Sequence, residues 1–457
     1  MGNLDDIFKA YDVRGTVPDQ LDAELVRKVG AAFARFVDAD RILVARDMRE
    51  SGVELTKAFA EGATSQGVDV VDLGLASTDL LYFAAGKLDS AGAMFTASHN
   101  PAKYNGIKLC LPGAKPVGLE SGLAEIKEEV ENDDFSPAEE QGEVSEQDLL
   151  DDYAEHVRSF VDRDALRPLK VVADTANGMG GLVAPRVFEG LPFDIEILFE
   201  DLDGSFPNHP PDPIDPENLK ALKDRVLEVG ADVGLAFDGD ADRVFLVDEK
   251  AEPLSGSLTT VMVAKSILEK HPGAKIIYNL ICSKAVPEII EENGGEPVRS
   301  RVGHSFIKGV MADTGAVFGG EHSGHYYFKD NYGADSGLIA ALVVLELLSK
   351  EEKPLSELRT PFERYAASGE INSEVSDQEA VMEKVADAYR DAEQDRTDGL
   401  TVDLGEWWFN LRPSNTEPKL RLNLEAPTRE ECDEHVDEVL ALVGEDSPAK
   451  DESEDQG

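Results

Sequence analysis

The densest chemistry in the chain sits in Asp238-Gly239-Asp240-Ala241-Asp242-Arg243. Three carboxylates at alternate positions form a cage of hard oxygens suited to Mg²⁺. On an extended turn alternate side chains share a face, so all three can point at one ion, and Gly239 lets the backbone bend closely. Three like charges so close need a cation to be tolerated. An EF-hand is excluded. Its sixth-position glycine is missing, and Phe245, Leu246 and Val247 run through the would-be loop as a strand. A second candidate is Ser98, in Thr96-Ala97-Ser98-His99-Asn100-Pro101. Pro101 and the Asn100 before it mark a stiff turn able to present the hydroxyl. A serine is a weak nucleophile until a base, cation or metal activates it; His99, Lys108 and a metal are available.

Two further motifs look like binding loops. Gly320-Glu321-His322-Ser323-Gly324-His325 joins a carboxylate and a hydroxyl, the usual partners of sugar hydroxyls. Arg412-Pro413-Ser414-Asn415-Thr416 clusters a guanidinium with hydrogen-bonding side chains, which suits a phosphate dianion. Arg14 in Tyr11-Asp12-Val13-Arg14-Gly15 and His304 in Arg301-Val302-Gly303-His304-Ser305 stand beside glycine turns. Four of the eight histidines (His99, His304, His322, His325) fall inside these motifs.

The elements around the motifs repeat. The pattern predicts a strand over 41–46, a helix over 53–66, strands over 68–73 and 92–95, then the Ser98 turn and a returning strand over 106–111. The same order recurs with strands over 170–174 and 193–199 around a helix over 181–188; strands 233–237 and 244–247 then flank the Asp238 turn. It recurs again with a strand over 274–278, a helix over 284–292, and short strands around the Glu321 turn. The C-terminal part differs: an amphipathic helix over 378–392, antiparallel strands over 400–404, 407–411 and 419–424, and a helix over 429–443. Its polar turn is the Arg412 motif. Acidic stretches at 132–152, 250–257 and 361–377 read as linkers. The division predicted is 1–150, 151–252, 253–365 and 366–445, with 446–457 a disordered acidic tail. Four units each presenting one polar turn point to one cleft built from four loops.

Composition excludes several classes. The 457 residues carry 92 acids against 44 Lys plus Arg, a formal charge of −48. Such a chain repels nucleic acid and anionic lipid, so neither nucleic acid nor membrane is an expected partner. The acids are spread over the whole chain. At low salt they repel one another; at molar salt the Debye length falls to about 3 Å and the repulsion is screened. This predicts a salt-loaded, halophilic cytoplasm and a melting curve that shifts upward between dilute and molar KCl; an unmoved curve would remove the idea. The start of the sequence has no apolar signal-peptide core, and the apolar run at 337–348 is too short to span a bilayer. A cytoplasmic protein is expected. Cys110, Cys282 and Cys432 form no CxxC pair, so neither a disulfide framework nor a zinc site is expected.

In this order, YDVRG, TASHNP, DGDADR, GEHSGH and RPSNTEP closely resemble the α-D-phosphohexomutase family, which includes phosphomannomutases, phosphoglucomutases and phosphoglucosamine mutases. The resemblance covers nearly the whole chain apart from the acidic tail. It implies three similar mixed α/β domains and a C-terminal α+β domain of TATA-binding-protein-like fold around a central cleft. It implies that Ser98 is phosphorylated, and that Asp238, Asp240 and Asp242 hold Mg²⁺ with the phosphoserine. Glu321, Ser323 and His325 fall to the sugar loop. Arg412, Ser414, Asn415 and Thr416 fall to the loop gripping the non-reacting phosphate. Arg14, His99, Lys108, Arg243 and His304 line the reaction centre, with Lys108 and His304 the candidates for proton transfer. The implied activity is exchange between hexose 1-phosphate and hexose 6-phosphate, with a hexose 1,6-bisphosphate as intermediate and activator. The implied partners are small-molecule hexose phosphates, and the implied state a monomer or homodimer. The stretch from Tyr326 to Asn331 looks more like phosphomannomutases; Ala241 in DGDADR is also seen among phosphoglucosamine mutases. Mannose and glucose phosphates are expected first, glucosamine 6-phosphate next. A metal-dependent sugar phosphatase and a non-catalytic sugar-phosphate sensor are the readings from other classes.

Overall fold

Runs of β-branched and aliphatic residues bounded by turn residues form four sheets in the computed structural model, which describes residues 4–37, 39–413 and 419–444. The first contains Val13–Thr16 (β1), Arg41–Arg46 (β2), Asp69–Leu75 (β3), Ala91–Phe95 (β4), Tyr104–Leu111 (β5), Lys115–Val117 (β6) and Val144–Glu146 (β7). Its order is β1-β5-β4-β2-β3-β7, with β6 on β5. The second contains Lys170–Asp174 (β8), Asp194–Leu198 (β9), Val233–Phe237 (β10) and Val244–Asp248 (β11), ordered β11-β10-β8-β9. The third contains Lys275–Asn279 (β12), Glu296–Ser300 (β13), Phe318–Gly320 (β14) and Tyr326–Phe328 (β15), ordered β13-β12-β14-β15.

The expected repeat is present in the pairing. Each of these sheets contains a unit of two parallel ladders followed by one antiparallel hairpin: β3-β2-β4 with β5, β9-β8-β10 with β11, and β13-β12-β14 with β15; the first sheet adds β7 beside β3, and β1 and β6 beside β5. Parallel neighbours need crossover helices, and these cover the sheet faces. Strands β4, β10 and β11 are buried along their whole length, as their unbroken apolar runs require. The motif-bearing turn is in every case the hairpin at the antiparallel end.

The fourth sheet is antiparallel: Ala366–Glu374 (β16), Glu393–Asp395 (β17), Leu400–Asp403 (β18), Trp408–Pro413 (β19) and Lys419–Ala426 (β20), ordered β16-β20-β19-β18-β17. Helices Gln378–Ala388 and Arg429–Val443 complete it. Its core of Val385, Leu400, Phe409, Leu422 and Val439 is separate from those of the other sheets.

Two linker expectations fail here. The acidic segment 361–377 contains β16, an edge strand hydrogen-bonded to β20. Its solvent-facing acids are what an edge strand carries to discourage further pairing. The segment 132–152 likewise contains β7 and the start of helix Leu150–Arg158. The apolar run at 337–348 belongs to helix Gly337–Glu351, buried almost throughout. Each Leu or Ile it buries contributes roughly 1.5–3 kcal/mol. Its one interior acid, Glu346, accepts from the Asp162 amide (3.0 Å) and pairs with Lys270 (2.9 Å) and Lys350 (3.0 Å), so the charge is not left bare. No helix among the described residues is long and apolar enough to cross a membrane. The tail expectation for 446–457 lies outside the described residues.

Candidate active site

The nucleophile loop is built by a residue far from it in sequence. After β4 the chain turns at Ser98, whose φ of +48° is left-handed. That conformation is disfavoured for a residue with a Cβ and must be held by its surroundings. Arg49 holds it. This side chain is only 1% exposed, and its guanidinium donates to the carbonyls of Ser98 (2.9 Å), Asn100 (2.7 Å), Pro101 (2.9 Å) and Tyr104 (3.0 Å). Its fifth donor, Nε, reaches Asp47 Oδ2 at 3.1 Å. All five guanidinium donors are used, a geometry lysine cannot copy. The Ser98 amide donates to Thr96 Oγ1 at 2.9 Å.

The loop delivers the hydroxyl to the acidic hairpin. Ser98 Oγ lies 2.8 Å from Asp238 Oδ2, 3.3 Å from His99 Nδ1 and 3.5 Å from an Arg243 terminal nitrogen. Arg243 Nε also donates to Asp238 Oδ2, at 2.9 Å. Lys108, two strand positions beyond Gly106 on β5, places Nζ 2.8 Å from Asp240 Oδ2 and 2.8 Å from Asp242 Oδ2. Gly106 itself is required: a Cβ there would lie 2.6 Å from the Val13 carbonyl oxygen and 2.8 Å from that of Thr96. Arg14, on β1 opposite Gly106, donates to Asn100 Oδ1 at 2.6 Å and pairs with Asp12.

The three aspartates fit a divalent cation. Each offers a carboxylate oxygen within 4.8 Å of the others. Asp240 Oδ1 and Asp242 Oδ1 are buried and meet no hydrogen-bond donor among the described residues. An ionised oxygen left so is costly unless a cation completes it. Burial pushes the Asp238 carboxyl up to about 7 despite Arg243. Burial acts the same way on Asp240, but Lys108 overcomes it and holds that carboxyl below the usual range. Asp238 is therefore the first of the pair to take up a proton. Burial, then the cations Arg243 and Arg14, push His99 down to about 2, so its imidazole stays neutral and can accept from the Ser98 hydroxyl. Burial alone would lower Lys108, but Asp240 and Asp242 raise it well above its ordinary value.

The other hairpins face the same region. The turn of the third joins the aspartate turn directly: Arg243 and His325 form an antiparallel backbone bridge, and the Val244 amide donates to the Gly324 carbonyl at 3.4 Å. His325 Nδ1 lies 2.9 Å from Asp335 Oδ2 and 3.8 Å from Asp242 Oδ1. Burial lowers its basicity, yet Asp242 and Asp335 outweigh that and raise it. His325 therefore stands against the acid cage. Glu321 is buried, and both its oxygens are engaged: Oε1 accepts from Tyr327 (2.6 Å), Oε2 from Asn279 (3.1 Å) and the Gly303 amide (3.2 Å). Ser323 is half-buried in the turn itself. From the fourth hairpin, Arg412 donates to Glu370 at 2.9 Å. Its charge reaches His322 and Tyr11, which places Arg412 itself near the third hairpin turn and the start of the first sheet. Ser414, Asn415 and Thr416 lie outside the described residues. His304 opens the helix His304–Thr314, and its side chain is likewise outside them.

Sequence reasoning missed Asp47, Arg49, Asp335 and Thr78. Thr78 donates to Asp240 Oδ2 at 2.6 Å. Asp47 and Arg49 follow β2 directly, so a signal existed. Charged residues immediately after an apolar strand and before a helix are candidates for loop chemistry.

Family models for phosphoglucomutase/phosphomannomutase match nearly the whole chain: alpha/beta/alpha domain I over residues 5–137, domain II over 151–252, domain III over 255–365 and the C-terminal domain over 370–442. A protein of Xanthomonas campestris pv. campestris described as phosphohexose mutases is 40% identical over 422 residues, covering 92% of this chain and 94% of that one. A phosphomannomutase of Escherichia coli is 39% identical over 430 residues, again covering 92% and 94%. The crystal structure of a phosphoglucomutase/phosphomannomutase family protein from Burkholderia thailandensis superposes with a TM-score of 0.89 at 33% identity, covering 97% of this chain and 98% of that one.

Proposed function

We propose, from the premise that this chain belongs to the phosphoglucomutase/phosphomannomutase family, the following reaction and division of labour. The enzyme is a hexose-phosphate mutase, an isomerase working as an intramolecular phosphotransferase. Its substrates are mannose 1-phosphate and glucose 1-phosphate, favoured over glucosamine phosphates by the names of the relatives near 40% identity. The observation that carries the assignment of roles is the meeting of Ser98 Oγ with Asp238 at 2.8 Å and Arg243 at 3.5 Å, beside two aspartate oxygens that meet no donor among the described residues.

Phosphorylated Ser98 gives its phosphoryl to the free 6-hydroxyl of a hexose 1-phosphate. The Oγ–P bond breaks, a P–O6 bond forms, and the 6-hydroxyl proton passes to Oγ, leaving Ser98 as the free alcohol. The 1,6-bisphosphate turns over; its O1–P bond breaks as an Oγ–P bond forms, and the Ser98 hydroxyl proton goes to O1. A loose phosphoryl-transfer transition state needs charge neutralisation and in-line positioning above all. Lys108, Arg243 and Arg14 are the chain's own cations for that purpose. Neutral His99 orients the Ser98 hydroxyl. Asp238, Asp240 and Asp242 would hold Mg²⁺ together with a phosphoserine oxygen, and the ion would draw charge from the transferring group. His304 stands as the candidate proton carrier. His325, Glu321 and Ser323 border the sugar, with Glu321 acting through Tyr327 and the Gly303 amide. Arg412, with Ser414, Asn415 and Thr416, grips the phosphate that is not reacting. The four domains are taken as 1–150, 151–252, 253–365 and 366–445.

Phosphorus NMR tests this in molar KCl with Mg²⁺ and a trace of hexose 1,6-bisphosphate as activator. Mannose 1-phosphate and glucose 1-phosphate should each give a growing 6-phosphate signal, with glucosamine 1-phosphate slower. Inorganic phosphate without isomer would instead favour a phosphatase, and no change with any sugar a sensor.

A further inference from the structure

Helix Thr78–Lys87 begins at Ser77, whose Oγ accepts from the Leu80 amide at 3.3 Å, an N-cap. Its first residue, Thr78, is completely buried and grips Asp240 twice across 162 positions of sequence. The Thr78 amide donates to the Asp240 carbonyl at 3.1 Å, and its hydroxyl donates to Asp240 Oδ2 at 2.6 Å. Lys108 Nζ takes the same oxygen at 2.8 Å. Oδ2 is thus engaged by two donors from the first sheet's half of the molecule, while Oδ1, buried, meets none among the described residues. A carboxylate rotates readily about its last bond, so two donors on one oxygen decide which oxygen faces the cage. The start of the helix cannot drift. The next residue, Asp79, is fully buried and accepts from Tyr153 (2.5 Å), Ser336 (2.7 Å) and Ser77, which ties the helix end to two other parts of the chain.

We infer that Thr78 is a positioning residue of the cation site: it fixes the carboxylate of Asp240 with Oδ1 inward and thereby sets the affinity for the divalent ion. It touches neither sugar nor phosphoryl group in this role. Hydrogen bonds to ligand carboxylates typically change metal affinity about 10–100-fold when removed. The inference rests on the reading of the three aspartates as the cation site, so the test separates the two.

Mn²⁺ binding to the substrate-free protein is measured by electron paramagnetic resonance of the free ion, with Mg²⁺ activation curves alongside. Thr78→Val keeps the shape and loses the hydroxyl. It should weaken Mn²⁺ binding about tenfold and raise half-activating Mg²⁺ by a similar factor, the activity lost at limiting Mg²⁺ returning as Mg²⁺ is raised. Thr78→Ser should restore both values. If the valine variant folds poorly, Thr78→Cys supplies a similar volume with a weak donor and should bind Mn²⁺ with intermediate affinity. Asp240→Ala is the reference. Loss of Mn²⁺ binding in Asp240→Ala with unaltered binding in the folded Thr78 variants overturns the inference alone. Unaltered binding in Asp240→Ala overturns the cation-site reading beneath it.

Discussion

Ser98→Ala is expected to lower kcat at least about 10⁴-fold, the usual scale for loss of a covalent nucleophile. Every phosphoryl group in the reaction passes through Oγ, and the nearby Thr96 hydroxyl cannot take its place, since its Oγ1 accepts from the Ser98 amide at 2.9 Å. The fold should survive. The loop's left-handed turn is imposed by Arg49 on backbone carbonyls, so its shape does not depend on the Ser98 side chain. Circular dichroism and binding of glucose 1,6-bisphosphate should match the parent, while phosphorus NMR shows no isomer. Turnover within a hundredfold of the parent would disprove the assignment of the nucleophile.

The second large effect is on stability. Arg49→Met removes the partner of four carbonyls and of Asp47, all gathered around a guanidinium that is 1% exposed. Stranding one member of a buried ion pair costs about 3–5 kcal/mol. Orphaned carbonyls add about 1 kcal/mol or more each where water cannot reach them. The packing of Arg49 over Phe206, at 5.1 Å, is retained in part by the methionine. Denaturant unfolding in molar KCl should therefore show the transition of the first domain weakened by at least about 3 kcal/mol, with kcat falling as the Ser98 loop relaxes. Arg49→Lys should rescue little, because one ammonium cannot span carbonyls fanned over Ser98 to Tyr104. A loss below about 1 kcal/mol would mean that the loop holds its turn without Arg49.

What the sequence revealed and what it concealed divide along physical lines. The hairpin strands were legible because a fully buried strand is apolar over nearly all its length, as in Val233–Phe237 and in Val244–Asp248 up to its last residue. The turns between them stood out because polar clusters there have no part in a core. The segment 361–377 reads as a linker because its acids mimic a solvated stretch; the strand Ala366–Glu374 within it shows itself only in an alternation of half-buried and exposed positions, blurred by the register shift between Ala367 and Glu370. The partners of Arg49 and Thr78 were illegible for another reason. Arg49 is engaged mainly by main-chain carbonyls, which any residue supplies, and Thr78 meets a side chain 162 positions away. No local period records such contacts. The surroundings of Glu321 were hidden in the same way: its residue type offers a carboxylate to the sugar loop, but not the fact that Tyr327, Asn279 and the Gly303 amide hold that side chain in place.

The antiparallel bridge between Arg243 and His325 bears on how such enzymes diverge. The turn of the third hairpin does not have a path of its own. Gly324 passes so close to Phe245 that a Cβ there would lie 2.5 Å from the ring, and Gly337 packs against the Arg243 backbone just as tightly, at 2.7 Å. Transplanting the Gly320–His325 turn from a relative of different sugar preference would carry a mismatch straight into the aspartate hairpin. Viable chimaeras should therefore exchange both hairpins together, and sugar preference and metal affinity should be inherited as one trait.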